Sequence, residues 1–301
     1  MSIAKPFIKW AGGKIQLMND IINNLPNNLN NIKTYIEPFI GGGSVLFNII
    51  DYFPNIENVI IMDINSKLIN VYNCIKTYPE ALINELKQLE YNYYNTNNKQ
   101  EYYYEIRNKF NEFKNKIPKI NFINVEYAAY FIFLNKTCFN GLYRENAKGD
   151  FNTPWNKSNK PCICDSVNIY NVHNFLNNHD VIILNEDYKQ CSKFIENNKT
   201  KTFIYFDPPY RPISKSSAFT AYTKSGFNDD SQIELKKLCD KINDKCYFML
   251  SNSDPKNTDI NDNFFDELYK DYNILRIKAK RNINSKGTDR GYINELLIKN
   301  Y

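Results

Sequence analysis

No apolar run in this 301-residue chain approaches the roughly 20 residues that cross a bilayer, and its first residues lack the apolar core of a secretory signal. A membrane-spanning or exported protein is therefore not expected, and the reading is of a cytoplasmic one. The cysteines number seven, an odd count without framework spacing, which argues against a disulfide-stapled fold and for a reduced environment. No segment repeats, and no low-complexity linker divides the chain. The G-x-G-x-x-G spacing of dinucleotide folds is missing. So is a P-loop, because Lys14 is not preceded by the glycines that motif requires. A pyrophosphate cradle is thus weakly supported. Charge is also modest: a net +5 permits nucleic-acid binding without establishing it. Heavy use of Asn, Lys, Ile and Tyr reads as coding bias toward A/T-rich codons.

Against those absences, one stretch stands out. The run Thr202-Phe203-Ile204-Tyr205-Phe206 ends in Asp207-Pro208-Pro209-Tyr210. A fully apolar run stopped by an acid and two prolines predicts a buried parallel strand, and ligands bind where such strands end. Two prolines fix φ and remove two donors, leaving their carbonyls to accept. A carboxylate, a rigid carbonyl and an aromatic face suit a planar group bearing an exocyclic amine. Simple turn chemistry is the plainer alternative for those four residues alone.

The surrounding pattern is α/β. A helical pattern runs from Ile15 to about Leu25. Tyr35-Ile36-Glu37-Pro38-Phe39 leads into Gly41-Gly42-Gly43-Ser44, and Asn58 to Met62 reads as a strand ending in Asp63, with a helical stretch following to about Ile75. From about Tyr78 to Cys164 the βα rhythm gives way to a tyrosine- and lysine-rich, helical region ending in a polar loop from Asn135 to Trp155. The rhythm resumes with Val181 to Leu184, the Asp207 strand and Cys246 to Leu250. Asn273 to Ala279 and Ile293 to Ile298 read as an antiparallel hairpin. The fold class expected is a Rossmann-like, doubly wound α/β sheet, mostly parallel with a C-terminal antiparallel hairpin. The division expected is residues 1–77 and 165–301 for catalysis and 78–164 as an insertion.

Glu37 beside the glycines repels a phosphate but suits a ligand with a cation and a ribose. S-adenosylmethionine (AdoMet) has both. The glycines then allow close backbone approach, and Asp63, about 20 residues on, is placed to take ribose hydroxyls.

Six motifs occur in one order: Lys9-Trp10-Ala11-Gly12-Gly13-Lys14, Glu37 to Gly43, Asp63-Ile64-Asn65, Asn140-Gly141-Leu142-Tyr143-Arg144, Phe151-Asn152-Thr153-Pro154 and Asp207 to Tyr210. On these the chain resembles the Dam-type DNA adenine-N6 methyltransferases, the alpha-group, D12 class amino-methyltransferases that include the DpnM-like enzymes. The similarity extends from Lys5 to Glu295-Leu296-Leu297. It implies an AdoMet-dependent enzyme that methylates adenine in double-stranded DNA, typically within GATC, after flipping the base. It further implies cofactor contacts at Trp10, Lys14, Glu37, Phe39, Gly41, Gly43, Asp63, Asp187 and Asp207. The catalytic motif is Asp207, Pro208, Pro209 and Tyr210. The 78–164 insertion becomes a target-recognition domain, with DNA contacts at Lys9, Phe139, Asn140, Leu142, Arg144 and Pro154. Relatives commonly carry tyrosine at the position of Phe139, so this chain keeps the wedge and loses a hydroxyl. A monomer is favoured, and a restriction endonuclease acting on the same site is a compatible partner without a stable complex.

Physical chemistry supports those roles independently. Arginine is the commonest reader of guanine, and apolar groups meet the thymine methyl. An aromatic wedge offsets the loss of stacking around a flipped base. For Arg144 a solvated loop arginine is the bland alternative, and for Phe139 a small core cluster. Lys278 to Arg281, with Lys286 and Arg290, offer cations to DNA phosphates or form a solvated charged hairpin. Cytosine-N4 methylation and a catalytically silent DNA-binding relative are the rival functions. Intact Trp10, Lys14, Asp63 and Asp207 weigh against the silent one. Cys162, Cys164, His173 and His179 lack a zinc-finger spacing, so no metal is expected.

Overall fold

The computed structural model describes residues 4–113, 123–195, 201–211, 227–280 and 292–301. Its elements in chain order are α1 (Met18–Asn23), β1 (Thr34–Glu37), α2 (Leu46–Ile49), β2 (Asn58–Met62), α3 (Ser66–Thr77), α4 (Pro79–Asn95), α5 (Lys99–Phe113) and α6 (Val125–Thr137). They continue with α7 (Ser166–Asn178), β3 (Ile182–Leu184), β4 (Thr202–Phe206), α8 (Asp229–Ile242), β5 (Tyr247–Ser253), α9 (Phe264–Leu268), β6 (Asn273–Lys280) and β7 (Tyr292–Lys299). Among the described residues, β1, β2 and β4 to β7 form a mixed sheet. The chain falls into two compact units. One holds Met1–Gly13, Gly41–Phe47 and Asp63–Asn185; the other holds Lys14–Ile40, Asn48–Met62 and Glu186–Tyr301.

In the second unit six strands run in the order β2-β1-β4-β5-β7-β6. β1 pairs in parallel with β2 and with β4, and β4 pairs in parallel with β5. β7 is antiparallel to both β5 and β6. Every residue of β1 and β4 is buried, as the unbroken apolar run before Asp207 requires of a strand covered on both faces. Tyr35, Phe53 and Phe203 cluster there, with ring centroids 5.5–6.1 Å apart. From β1 the chain proceeds to β2 on one side, and from β4 to β5 on the other. Strand order therefore reverses between β1 and β4, the place where open α/β sheets bind ligands, and the carboxyl ends of those two strands carry Glu37 and Asp207.

The first unit is built on α6, apolar on every side and buried at all but three of its 13 positions. A helix apolar all round must be covered all round, and α3, α4 and α5 pack against it. Phe110 of α5 stacks on Tyr127 of α6 at 4.5 Å. Side-chain oxygens of Asn65, Asn124 and Asp165 cap α3, α6 and α7 by accepting the first free N–H groups. These three polar residues mark where the apolar patterns begin.

One expected element is shorter than its pattern. The helix from Ile15 is a 3-10 turn followed by the six residues of α1, and Pro26 stands shortly beyond its end. After the glycines, α2 is a single turn followed by another 3-10 turn. So short a helix has little dipole to offer an anion, in keeping with the missing phosphate motifs. Among the described residues no helix is long and apolar enough to cross a membrane.

Candidate functional site

In the second unit the acid after β4 does not stand alone. Lys14, only 2% exposed, donates to Asp207 Oδ2 at 2.7 Å. Its Nζ also lies 4.7 Å from the centre of the Tyr210 ring. The Tyr210 hydroxyl donates to Glu295 Oε2 at 2.6 Å. Burial pushes the Asp207 carboxyl above its ordinary value; the Lys14 cation pulls the other way, and Glu295 adds to the rise. Tyr210 is held well above the usual phenol range, first by burial and then by Asp207 and Glu295, and so remains a donor. Among the described residues no donor reaches Asp207 Oδ1 or the Pro208 carbonyl.

The Pro209 carbonyl differs from the expectation that both prolines present free acceptors. It receives a bond from Gln232 Nε2 at 3.1 Å. Gln232 in turn accepts from Asn252 Nδ2 at 3.0 Å, and Asn252 Oδ1 accepts the Arg211 N–H at 3.2 Å. Sequence reasoning did not pick out Gln232, Asn252 or the pairing of Glu295 with Tyr210. The one signal was polar Ser251-Asn252-Ser253 closing an apolar strand.

Glu37, 2% exposed, accepts from the Tyr35 hydroxyl at 2.6 Å. Phe39 stacks on Tyr188 at 5.1 Å and meets Phe227 edge-on at 6.0 Å. Asp187 is exposed and caps the turn that follows, accepting from the Lys189 N–H at 2.9 Å.

In the first unit Trp10, Gly41, Gly43 and Asp63 come together. The Asp63 carboxylate accepts the Gly41 N–H at 3.2 Å on one oxygen and the Asn65 N–H at 2.9 Å on the other. Burial outweighs those bonds and raises its pKa from 3.8 to about 6. Gly41 has φ +47, and a Cβ there would sit 2.6 Å from Trp10 Cδ1, so only glycine lets the turn close against the indole. Tyr72 donates to the Gly41 carbonyl at 3.0 Å and also lies beside Gly43. Trp10 stacks on Tyr143 at 5.6 Å.

The same unit assembles the expected DNA-contacting residues. Phe139 is 55% exposed, which excludes the core reading, and Asn140 beside it is exposed with φ 57. The Phe139 N–H donates to the Pro154 carbonyl at 2.8 Å. Arg144 donates through Nε to Asn152 Oδ1 at 2.7 Å, so its guanidinium is oriented rather than freely solvated. Leu142 is partly exposed and Pro154 exposed. Asn135, 2% exposed, grips the Lys9 backbone twice at 2.8 Å and also donates to the Gly141 carbonyl at 3.0 Å. That clamp was not anticipated. Lys278 is exposed on β6; Arg281, Lys286 and Arg290 lie outside the described residues. Among the described residues no group of three His, Cys, Asp or Glu side chains is arranged to hold a metal ion.

Residues 10–283 match the profile of the D12 class N6 adenine-specific DNA methyltransferases. The chain belongs to that family. It is similar over nearly its whole length to the type II methyltransferase M.MjaIII of Methanocaldococcus jannaschii, 45% identical with 99% of each chain covered. It is 37% identical to the type II methyltransferase M1.LlaDCHI of Lactococcus lactis subsp. cremoris, covering 99% of this chain and 95% of that one. A DNA adenine methylase of Vibrio cholerae is 31% identical, with 99% and 96% covered. The protein is thus an enzyme of the adenine-specific DNA methyltransferase class, on the mixed sheet that its sequence pattern predicts.

Proposed function

We propose that the protein transfers a methyl group from AdoMet to N6 of a flipped adenine in double-stranded DNA, within GATC. The observation that carries this reading is the Asp207–Tyr210 turn at the end of β4, where a shielded carboxylate, a proline carbonyl and an aromatic ring stand together. Asp207 Oδ1 and the Pro208 carbonyl would accept the two N6 protons while Tyr210 stacks on the ring. Those bonds favour a pyramidal nitrogen and localise its lone pair, which is otherwise delocalised and weakly nucleophilic. They also stabilise the positive charge that develops on nitrogen. A carboxyl raised above its ordinary value is a better proton acceptor than a surface aspartate, which suits Asp207 to receive the N6 proton. Pro209 spaces the turn, and its carbonyl is already engaged.

AdoMet supplies an electrophilic methyl on a sulfonium. In the first unit Trp10 would offer an aromatic face to it, and Gly41 and Gly43 would allow close backbone approach; in the second, Phe39 would offer another face. Asp63 would accept from ribose hydroxyls, Asp187 would accept from the adenine amine, and Glu37, Lys14 and Asp207 would complement its charged groups.

Residues 78–164 act as the target-recognition insertion, and 1–77 with 165–301 carry the chemistry. Phe139 and Asn140 enter the duplex, while Lys9, Leu142, Arg144 and Pro154 meet base edges. The exposure of Phe139 and the orientation of Arg144 support this. Two relatives are named type II methyltransferases, which supports a role in DNA modification alongside an endonuclease that cuts the same unmethylated site in the cytoplasm. The enzyme needs no second copy in this reading.

Incubation with labelled AdoMet and two duplexes, identical except that GTTC replaces GATC in one, tests the proposal. Label on the GATC duplex alone, recovered as N6-methyladenine, is expected. Label on both would overturn the target, and label as N4-methylcytosine the base.

A further inference from the structure

Gln232 and Asn252 are both 0% exposed, and a buried primary amide is costly unless each polar atom is satisfied. They satisfy one another in a single direction. At one end the Pro209 carbonyl can only accept; at the other the Arg211 and Ser253 N–H groups, 3.2 and 2.9 Å from Asn252 Oδ1, can only donate. Asn252 must therefore offer its NH2 to Gln232, and Gln232 its NH2 to Pro209. The Ser253 hydroxyl adds a bond to the Arg211 carbonyl at 2.8 Å. Three backbone groups of the turn are thus held from two elements, the first turn of α8 and the end of β5. Prolines at 208 and 209 already fix both φ angles. Pinning the Pro209 carbonyl and the Arg211 peptide removes most of the freedom left to the peptide that carries the Pro208 carbonyl.

We propose that the Gln232–Asn252 amide pair is a positioning device for methyl transfer, holding the Pro208 carbonyl beside Asp207 as the acceptor and tying the Pro209 carbonyl to α8. The inference rests on the reading of the Asp207–Tyr210 turn as the reaction centre. Gln232 and Asn252 act through the backbone of that turn and are positioning residues. A carbonyl that swings away loses one of two N6 bonds made strongest in the transition state, so the effect falls on turnover more than on binding.

The test compares wild type, Gln232→Met, Gln232→Glu and Asn252→Asp by steady-state kinetics on a duplex substrate, with kcat normalised to AdoMet-binding sites counted by titration. Gln232→Met keeps the length and loses both bonds; Gln232→Glu puts an acceptor against the Pro209 carbonyl; Asn252→Asp removes the donor to Gln232. Each is expected to lower kcat by about 10- to 100-fold, with KM for AdoMet and DNA within about threefold of wild type. Unchanged kcat per site in Gln232→Met and Gln232→Glu would overturn the proposal. So would losses confined to the count of AdoMet-binding sites in all three variants, which would make the pair structural only. Failure of the wild type to methylate adenine would instead overturn the reading beneath it.

Discussion

At the Asp207 turn the chemical side chains are shielded and already paired with one another, whereas along the Phe139–Trp155 loop the aromatic and its neighbour Asn140 project into solvent. Both backbones are nevertheless held by buried amides: Gln232 and Asn252 at the turn, Asn135 at the loop. Charge stabilisation works best with dipoles fixed in advance and water excluded. On the proposed function, a wedge at Phe139 must instead be available to a duplex that has not yet arrived. The contrast teaches that rigidity is placed in the main chain in both regions, while exposure of the side chains follows the job. Conformational order at Phe139 therefore does not require burial there.

The largest expected break in this contrast is at Asp207. Asp207→Asn keeps a hydrogen-bond acceptor for Lys14 but removes the carboxylate that would take the proton, and kcat should fall on the order of 10³-fold in a methyl-transfer assay. Asp207→Ala should add a stability loss of about 3–5 kcal/mol by denaturant titration, because it removes the carboxylate that pairs with the buried Lys14 cation. At the loop, Gly141→Ala should cost about 1–3 kcal/mol, since Gly141 has φ +66 and a new Cβ would lie 2.6 Å from the Lys9 Cβ. Arg144→Ala should lower discrimination at one base of the target by about 1–3 kcal/mol, read from kcat/KM across singly substituted sites. Equal loss on all sequences would make Arg144 a phosphate contact. Phe139→Ala should leave stability within about 0.5 kcal/mol, yet weaken the fluorescence rise of a 2-aminopurine placed at the target adenine.

The smallest effect concerns Asp63. Its folded-state pKa stands above its ordinary 3.8, at about 6, so between those values the native state keeps a proton that the unfolded chain releases. Stability therefore falls as pH rises through that window. Asp63→Asn should flatten the dependence of Tm on pH between about 4 and 6; an unchanged slope would show that other groups produce it.

Much of this architecture could be read from residue order because it rests on patterns with a period or a stop. β4 is an unbroken apolar run ended by Asp-Pro-Pro, and α6 is apolar all round between an Asn cap and a polar loop. The turn chemistry of Asn140-Gly141 likewise announces left-handed backbone, which both residues adopt. The clamps left no such trace. Gln232, Asn252 and Asn135 act through amides with partners as far as 20, 23, 41 and 126 positions away, and a single polar residue has no periodicity. In a chain so rich in asparagine, a composition that reads as coding bias also conceals the few amides buried at 0–2% exposure. Pairings such as Tyr210 with Glu295 depend on sheet order, which no local pattern encodes.

That sheet order also sets a schedule. β7 comes after β6 in the chain yet lies between β5 and β6, and it delivers Glu295 to Tyr210. A polypeptide emerging from the ribosome at about 5–20 residues per second makes Lys14, Asp207 and Tyr210 well before Glu295 exists. Until β7 is threaded between its neighbours, the Tyr210 hydroxyl lacks its anchor. Completion of the Asp207–Tyr210 turn is thereby deferred to a late moment in biosynthesis, and partly made chains carry the motif without its support.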